Sequence, residues 1–291
     1  KFVPQSLVEK WILHRLNQTA QQLNQDMLQR SFMSATSCVY NFWLYDLCDV
    51  YIEAIKPITD AGADPSARLS AQHTLYACLD AGLKLLHPFM PFVTEELWHR
   101  LPQRPQETAE TIAHARFPEW QAVHDFGKEA AHFDDVFATV RAVRGLAADY
   151  GLTSQIQAFI EVPSNEYRAV LESQCSVMHT LIKGCEKIVC VPAASDVPPG
   201  CVVASVSSSI QVHLLVSGLV DFDQELSKLA KKLTLNETQL QRTTALTQKP
   251  DWSKTPEDVR AHTQKRLDDL EAEKAALLQA QANFDKLRSS A

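Results

Sequence analysis

Clustered basic side chains are the residues of this sequence best suited to chemistry, because Lys and Arg attract phosphate groups. The clusters comprise Arg141 with Arg144, then Lys228, Lys231 and Lys232, and finally Lys265 with Arg266. Residues three apart on a helix lie one turn apart, so the two arginines would share one side of a helix. A solvated helix face with internal ion pairs is the alternative explanation of these clusters.

The overall charge argues against general attraction to a polyanion. The 291 residues carry 28 basic and 35 acidic side chains, a net charge of −7. The acidity is confined to residues 1–221, whereas residues 222–291 contain 12 basic and 11 acidic side chains. Any phosphate backbone would therefore dock at a few basic positions.

No motif of an active site occurs in the sequence. It lacks a Gly-rich phosphate loop, G-x-S-x-G, H-E-x-x-H and any C-x-x-C pair. Asp46, Asp49 and Glu53 recur on one helix face, and we interpret them as the polar edge of a buried helix rather than a pair of catalytic carboxylates. His87 and His99 are interpreted as packing or surface residues. We expect no catalytic residue, metal site or bound cofactor in this chain.

The cysteines and the lack of long apolar runs indicate a compartment. The seven cysteines are odd in number and several lie in apolar runs, which favours buried free thiols in a reducing environment. Neither a membrane span nor a signal peptide is recognisable. We therefore expect a cytoplasmic location and no membrane partner. The first residue is Lys rather than Met, which indicates a piece of something longer.

Helical periodicity dominates residues 1–150. Ser6 and Glu9 form a predicted capping box at the start of the first helix. Asp64 is predicted to cap the third helix, with Pro65 at its first position. The other predicted features are a second helix over about 32–55, a fourth from Thr94 to about Leu101, a loop over 102–127 and a helix over about 128–150.

The pattern changes after residue 150. Period-two alternation predicts strands at 156–162, 187–191, 201–206 and 210–216, with a helix over 165–182. Helical periodicity returns at Asp221, and two long amphipathic helices with a turn near 249–253 predict an antiparallel coiled-coil hairpin. The predicted fold is mainly α, with a helical bundle at 1–150, a small α+β unit at 151–220 and the hairpin at 221–291.

Two motifs carry a family resemblance. The stretches NFWLYDLCDVYIE at 41–53 and HPFMPFVTEELW at 87–98 resemble the anticodon-binding helical domain of class I aminoacyl-tRNA synthetases. The F-W-x-x-x-x-C-D-x-Y-x-E pattern and the hairpin after a small α/β unit resemble the valyl-tRNA synthetases in particular. The resemblance covers nearly the whole chain.

The resemblance implies a function for the parent enzyme. It implies the C-terminal third of a ligase that joins valine to tRNA(Val) with ATP and Mg and edits its products. The H-I-G-H and K-M-S-K-S signatures are absent, as is the editing domain. This chain would contribute tRNA docking, with tRNA(Val) and the catalytic domain of the same polypeptide as partners and no DNA.

The resemblance also guides the choice of tRNA-binding residues. Charge placement on the first helix suggests Lys10, His14 and Arg15 for the anticodon side, together with the arginine pair Arg141 and Arg144. The hairpin cations Lys228, Lys231, Lys232, Lys265 and Arg266 would hold the outer corner of the tRNA. Trp43 and Tyr45 could stack on an unpaired base, but their apolar surroundings favour core packing.

Two alternative functions stay open from the sequence. One is another synthetase of the same group, isoleucyl or leucyl, although the missing C-x-x-C argues against the isoleucyl enzyme. The other is a non-enzymatic module for tRNA binding or coiled-coil assembly derived from a synthetase.

Overall fold

A computed structural model describes residues 3–60, 62–102, 108–218 and 222–248, and eleven positions between 260 and 282. The α-helices are α1 (Leu7–Gln29), α2 (Phe32–Asn41), α3 (Glu53–Thr59), α4 (Pro65–Leu86), α5 (Pro91–Arg100), α6 (Gly127–Asp149), α7 (Asn165–Ser173), α8 (Cys175–Leu181) and α9 (Phe222–Thr247). A π-helix, Phe42–Ile52, joins α2 to α3. The strands are β1 (Ile156–Glu161), β2 (Cys185–Val191), β3 (Cys201–Ser205) and β4 (Gln211–Leu215).

The predicted capping box begins α1. The Ser6 hydroxyl accepts a hydrogen bond from the Glu9 amide, and the Glu9 carboxylate accepts one from the Ser6 amide at 3.2 Å. The same carboxylate accepts a hydrogen bond from the Ser70 hydroxyl at 2.7 Å, although Glu9 is only 2% exposed. One side chain therefore fixes both the start of α1 and its contact with α4.

The predicted second helix is helical throughout but has a wider turn in its middle. Residues 42–52 form i to i+5 hydrogen bonds, so residues five apart share a face. Phe42 and Leu47 are accordingly both buried. Cys48, one of the thiols that the sequence favours as buried, is exposed. The helix was predicted to end near residue 55, but α3 continues through Pro57 to Thr59.

The third and fourth helices confirm one prediction and correct another. Asp64 accepts a hydrogen bond from the Ala67 amide at 2.8 Å, with Pro65 at the first position of α4. The fourth helix, α5, begins at Pro91 rather than at Thr94. Proline is already set for the first turn, and the Thr94 hydroxyl bonds back to the Met90 carbonyl at 2.8 Å.

The four strands form one sheet in the order β2-β1-β4-β3. The β1–β2 pair is parallel and is connected through α7 and α8, whereas β4 is antiparallel to both β1 and β3. The helix predicted over 165–182 is divided at Gln174, which ends α7 and precedes α8. The mainly helical fold with a small α+β unit is thus confirmed.

The hydrophobic core is continuous from the helices to the sheet. Helix α6 packs against α1 with one side and against β3 and β4 with another. Its buried residues Val136, Val140 and Val143 belong to the same cluster as Val212 and Leu214 of β4. The division into domains near residues 150 and 220 stays a prediction. Within the described ranges, no helix combines the length and apolar character needed to cross a bilayer.

Helix α9 leaves the sheet with its first turns packed against the main core through Leu226. Farther along, the buried Asn236 side chain donates a hydrogen bond to the Leu270 carbonyl at 3.3 Å. Lys274 pairs with Glu237 at 2.8 Å. We call α9 and the described residues from 260 to 282 the arm. Asp221, where helical periodicity is predicted to return, lies outside the described residues.

Candidate nucleic-acid interface

A polar cleft of about 460 Å³ lies between α1 and the junction of α2 with the π-helix. Its walls are mainly amide and charged side chains. They are Arg15, Gln18, Thr19, Gln21, Gln22, Gln25, Cys38, Asn41, Phe42 and Asp46. The glutamines recur at helical spacing, so they form one exposed row along α1. Amide groups both donate and accept hydrogen bonds, as the edges of unpaired bases require.

An ion pair forms one end of this polar cleft. Arg15 Nε lies 3.0 Å from Asp46 Oδ2, and the Asp46 side chain is only 12% exposed. Burial raises the pKa of Asp46, and the Arg15 charge opposes that rise. The positive charge predicted at position 15 is therefore largely compensated within the fold.

An apolar groove of about 610 Å³ lies on the other side of α2. Val39, Trp43, Leu86, Phe89 and Met90 provide most of its apolar wall. Asn41 lines both hollows, so the polar cleft and the apolar groove adjoin each other. Together they give one surface with hydrogen-bonding groups on one side and stacking area on the other.

Two exposed tyrosines stand at this surface. Tyr40 and Tyr45 are 57% and 53% exposed, and their rings meet edge to face with centroids 5.9 Å apart. They are five residues apart, the spacing that a π-helical turn brings to one face. The prediction that Tyr45 packs in the core is therefore wrong. Trp43 is half-buried, and its indole donates a hydrogen bond to the Gly82 carbonyl at 3.2 Å.

The other cations predicted on α1 point away from the polar cleft. Lys10 Nζ lies 3.2 Å from Glu129 Oε1 of α6. His14 is 8% exposed, with Nδ1 3.4 Å from Asp125 Oδ1. Of the three α1 residues proposed for the anticodon side, Arg15 alone lines the cleft.

The two arginines of α6, Arg141 and Arg144, make different contacts. Arg144 Nε donates a hydrogen bond to the Leu181 carbonyl at 2.9 Å, which joins α6 to the end of α8. Arg141 is exposed, and its guanidinium lies 5.1 Å from the centre of the Phe137 ring. Arg141 is thus the more available of the two for an external phosphate.

The cations of the arm are described in part. Lys231, Lys232 and Arg266 are exposed. Lys228 belongs to α9, but its side chain lies outside the description, and Lys265 lies outside the described residues altogether.

The interpretation of the histidines agrees with the structure. His87 Nδ1 lies 2.7 Å from the Thr94 hydroxyl, and His99 Nε2 lies 2.8 Å from a Glu95 oxygen. Both rings thus make contacts within the α4–α5 region. In the part of the chain that the structure describes, no three His, Cys, Asp or Glu side chains converge where a metal ion could bind.

Comparison with known protein families identifies the class of protein to which the chain belongs. The family described as the anticodon-binding domain of tRNA ligase matches residues 9–162, more than half of the chain. The matched region runs from α1 to β1 and includes the polar cleft and both tyrosines. This region of the chain therefore belongs to the anticodon-binding domain family of tRNA ligases.

Individual relatives show which kind of tRNA ligase the chain resembles. The chain is 42% identical over 229 residues to the mitochondrial valine–tRNA ligase of Saccharomyces cerevisiae, covering 79% of the chain and 21% of that protein. It is 37% identical over 286 residues to the valine–tRNA ligases of Mus musculus and Homo sapiens, covering 97% of the chain and 22% of each. The chain therefore belongs to the valine–tRNA ligase family. It spans about a fifth of the length of these relatives.

Proposed function

We propose that this chain is the tRNA-docking portion, at the C-terminal end, of an enzyme that attaches valine to tRNA(Val). The observation that supports this most is the anticodon-binding family match, which coincides with the polar cleft and its adjoining tyrosines. The three relatives named above are valine–tRNA ligases, which favours this proposal over an isoleucyl or leucyl enzyme.

In the proposal, the bundle binds unpaired bases of the anticodon loop. Gln18, Gln21 and Gln25 are exposed along one wall of the polar cleft and offer amide groups to base edges. Tyr40 and Tyr45 offer exposed ring faces on which bases can stack. Arg141 is exposed and would contact a phosphate. The tRNA contacts of Lys10, His14, Arg15 and Arg144 remain predictions. Each of these side chains already contacts a group inside the fold.

The arm is proposed to bind the body of the tRNA. Lys231, Lys232 and Arg266 are exposed there, and Lys228 and Lys265 are included from their sequence positions. The contacts of Asn236 with Leu270 and of Lys274 with Glu237 support an antiparallel coiled coil, which is part of the proposal. Phosphate contacts of this kind make affinity depend on salt.

The remaining partners of the proposal belong to the parent enzyme. ATP and Mg would act in a catalytic domain of the same polypeptide, outside these 291 residues. The seven cysteines are all free, which supports a reducing compartment such as the cytoplasm. Fractionation of cells with an antibody against the chain tests that location against the mitochondrion, which the name of the yeast relative includes.

Binding of labelled tRNA(Val) transcripts tests the central proposal. We expect the chain to prefer the transcript with the valine anticodon over one whose anticodon loop is replaced. Combined Gln18→Ala and Gln25→Ala should weaken binding of the valine transcript about 30-fold, since the two lost hydrogen bonds together are worth about 2 kcal/mol.

Gln29→Ala is the matched control, because Gln29 is exposed on α1 but does not line the polar cleft. Equal binding of both transcripts by a folded chain would refute anticodon recognition. If Gln29→Ala and the double variant lose equal binding affinity, the bases contact another part of the bundle.

A further inference from the structure

One glutamine of the polar cleft has its amide held by a buried carboxylate. Gln22 Nε2 donates a hydrogen bond to Asp26 Oδ1 at 3.0 Å, one turn farther along α1. Gln22 is exposed and lines the cleft, whereas Asp26 is only 4% exposed and is not part of the wall. Of the four glutamines that line the cleft, Gln22 alone has a hydrogen-bonded side chain within the described part of the chain. The other three amides are therefore free to turn either way.

The carboxylate decides which end of the Gln22 amide faces the cleft. A carboxylate can only accept hydrogen bonds, so the NH2 group of Gln22 must point toward Asp26. Asp26 Oδ2 is buried and has no hydrogen-bond partner among the described residues. Turning the Gln22 amide over would leave both oxygens of this buried carboxylate without a donor from those residues, which costs more than an ordinary hydrogen bond contributes. The carbonyl oxygen of Gln22 is thus the group left to meet a molecule in the cleft.

A nearby thiol of the cleft does not replace Gln22 as the donor to Asp26. Burial, followed by the charge of Asp26, raises the pKa of Cys38, which lies on α2 and lines the cleft. The Cys38 thiol donates its hydrogen bond to the Thr19 carbonyl, at 3.9 Å. The orientation of the Gln22 amide therefore follows from its contact with Asp26.

We propose that Gln22, held by Asp26, selects an unpaired anticodon-loop base that carries an exocyclic amino group, which is adenine or cytosine. This inference rests on the proposed function, because it needs a base of that loop in the polar cleft. A fixed carbonyl oxygen accepts a hydrogen bond from the 6-amino group of adenine or the 4-amino group of cytosine. In guanine or uracil, a carbonyl at the same place would face the Gln22 oxygen with no hydrogen between them. Asp26 is a positioning residue, since it contacts Gln22 and not the base.

Binding of the 291-residue chain to tRNA(Val) assembled from synthetic halves tests this selection. One loop adenine at a time is replaced by hypoxanthine, or one cytosine by uracil, which exchanges the amino group for a carbonyl on a similar ring. We expect a position at which this exchange weakens binding about tenfold, because a hydrogen bond is lost and two acceptors oppose each other. Gln22→Ala should bind the two RNAs that differ at this position within about twofold of each other.

Asp26→Asn provides a readout that loss of structure does not give. An asparagine amide can donate as well as accept, so Gln22 becomes free to turn and to donate to a carbonyl. Asp26→Asn should therefore bind the carbonyl-bearing RNA about fivefold more tightly than the wild type does. Asp49→Asn is the matched control, because it makes the same charge change at an exposed position outside the cleft. This control should leave the affinity ratio of the two RNAs unchanged.

The outcomes that would overturn this inference are distinct from failure of the proposed function. If no single exchange weakens binding, or if Gln22→Ala keeps the wild-type ratio, Gln22 does not select the base, although anticodon recognition stands. If a folded Asp26→Asn variant weakens both RNAs equally, Asp26 has only a structural role. If tRNA with a replaced anticodon loop binds as well as the original, the proposed function fails and this inference fails with it. Thermal melting checks the fold of each variant, and Gln22→Ala, at an exposed position, decides the test if Asp26→Asn does not fold.

Discussion

The helical bundle and the arm use their basic side chains differently. In the bundle, Lys10, Arg15 and Lys84 lie 3.2, 3.0 and 3.1 Å from carboxylate oxygens of the same fold. In the arm, Lys231 and Lys232 are exposed to solvent. Two of the bundle pairs join α1 to another helix and the third lies within α4, so these three charges are compensated inside the fold. The proposed recognition by the bundle therefore relies on neutral amides and aromatic rings.

The comparison implies that the proposed tRNA affinity has two separable parts. Contacts between lysines and phosphates release counterions, so the contribution of the arm should weaken as salt rises. Stacking and hydrogen bonds to bases depend far less on salt, so the contribution of the bundle should persist.

Reversing charge on the arm should have the largest effect. Combined Lys231→Glu and Lys232→Glu should lower tRNA affinity about 100-fold near 0.1 M salt and reduce the slope of log K against log salt by about 2. Titration at several salt concentrations measures both quantities. The control is Lys183→Glu with Lys187→Glu, an equal charge change at exposed positions just before β2 and within it. Equal losses in both double variants would mean that only overall charge matters.

Removing the buried ion pair of the bundle should cost stability. Arg15→Ala leaves the Asp46 carboxylate without its cation, and we expect a loss of about 2 kcal/mol in the free energy of unfolding at pH 7. Urea denaturation measures this loss. Arg100→Ala is the control, because its pair with Glu96 is exposed and should contribute less than about 0.5 kcal/mol.

Arg15→Ala should also change how the free energy of unfolding depends on pH. Burial already raises the pKa of Asp46, and loss of Arg15 removes an opposing charge, so the pKa rises further. A carboxyl group whose folded-state pKa is above its unfolded value contributes stability at low pH and loses that contribution as pH rises through the folded pKa. The deficit of Arg15→Ala should therefore shrink as the pH is lowered from 7 toward the ordinary range of a carboxyl group. A deficit that grows would contradict the assignment.

The exposed tyrosine should affect binding rather than stability. Tyr45→Ala should weaken tRNA binding about tenfold with an unchanged salt slope, because one stacked base is worth about 1–3 kcal/mol. Trp43→Ala is the contrasting neighbour and should lower the unfolding free energy by about 2 kcal/mol, since it removes packing against Gly82. If Tyr45→Ala changes only the melting temperature, the tyrosine is structural.

Lys10→Ala should produce the smallest effect. Its pair with Glu129 is about one-third exposed on each side, so the stability loss should stay below about 1 kcal/mol. Because its charge is used within the fold, tRNA affinity should change less than about twofold at about 0.1 M salt. A larger loss of affinity, together with a salt slope smaller by the amount of one phosphate contact, would show that Lys10 binds a phosphate.

Local signals in the sequence predicted much of the fold. The Ser6 and Glu9 box and the Asp64 cap depend on neighbours three residues apart, so the sequence alone contains the whole interaction. The start of α5 was predicted three residues late because a capping residue was assumed, whereas Pro91 begins the helix. The break at Gln174 is not evident in the helical pattern of residues 165–182.

The candidate surface was harder to predict because it depends on backbone geometry and on uncharged groups. Apolar neighbours in the sequence predict Tyr45 in the core, whereas its side chain is 53% exposed and its ring meets that of Tyr40. The row Gln18, Gln21, Gln22 and Gln25 shows the spacing of one helix face and was a signal available in the sequence. A search restricted to charged residues overlooks it. Ion pairs such as that of Lys10 with Glu129 join distant segments, so sequence spacing could not reveal them.

Helix α6, packed between α1 and the sheet, has a consequence for any attempt to divide this chain. A cut near residue 150 would leave the faces of Val140 and Val143 without their strand partners and would expose a fresh apolar strip to water. A shortened product ending there should self-associate, whereas one extending past Val216 should remain monodisperse. A chain expressed to contain the bundle should therefore end after the sheet, past Val216, and not at the end of α6.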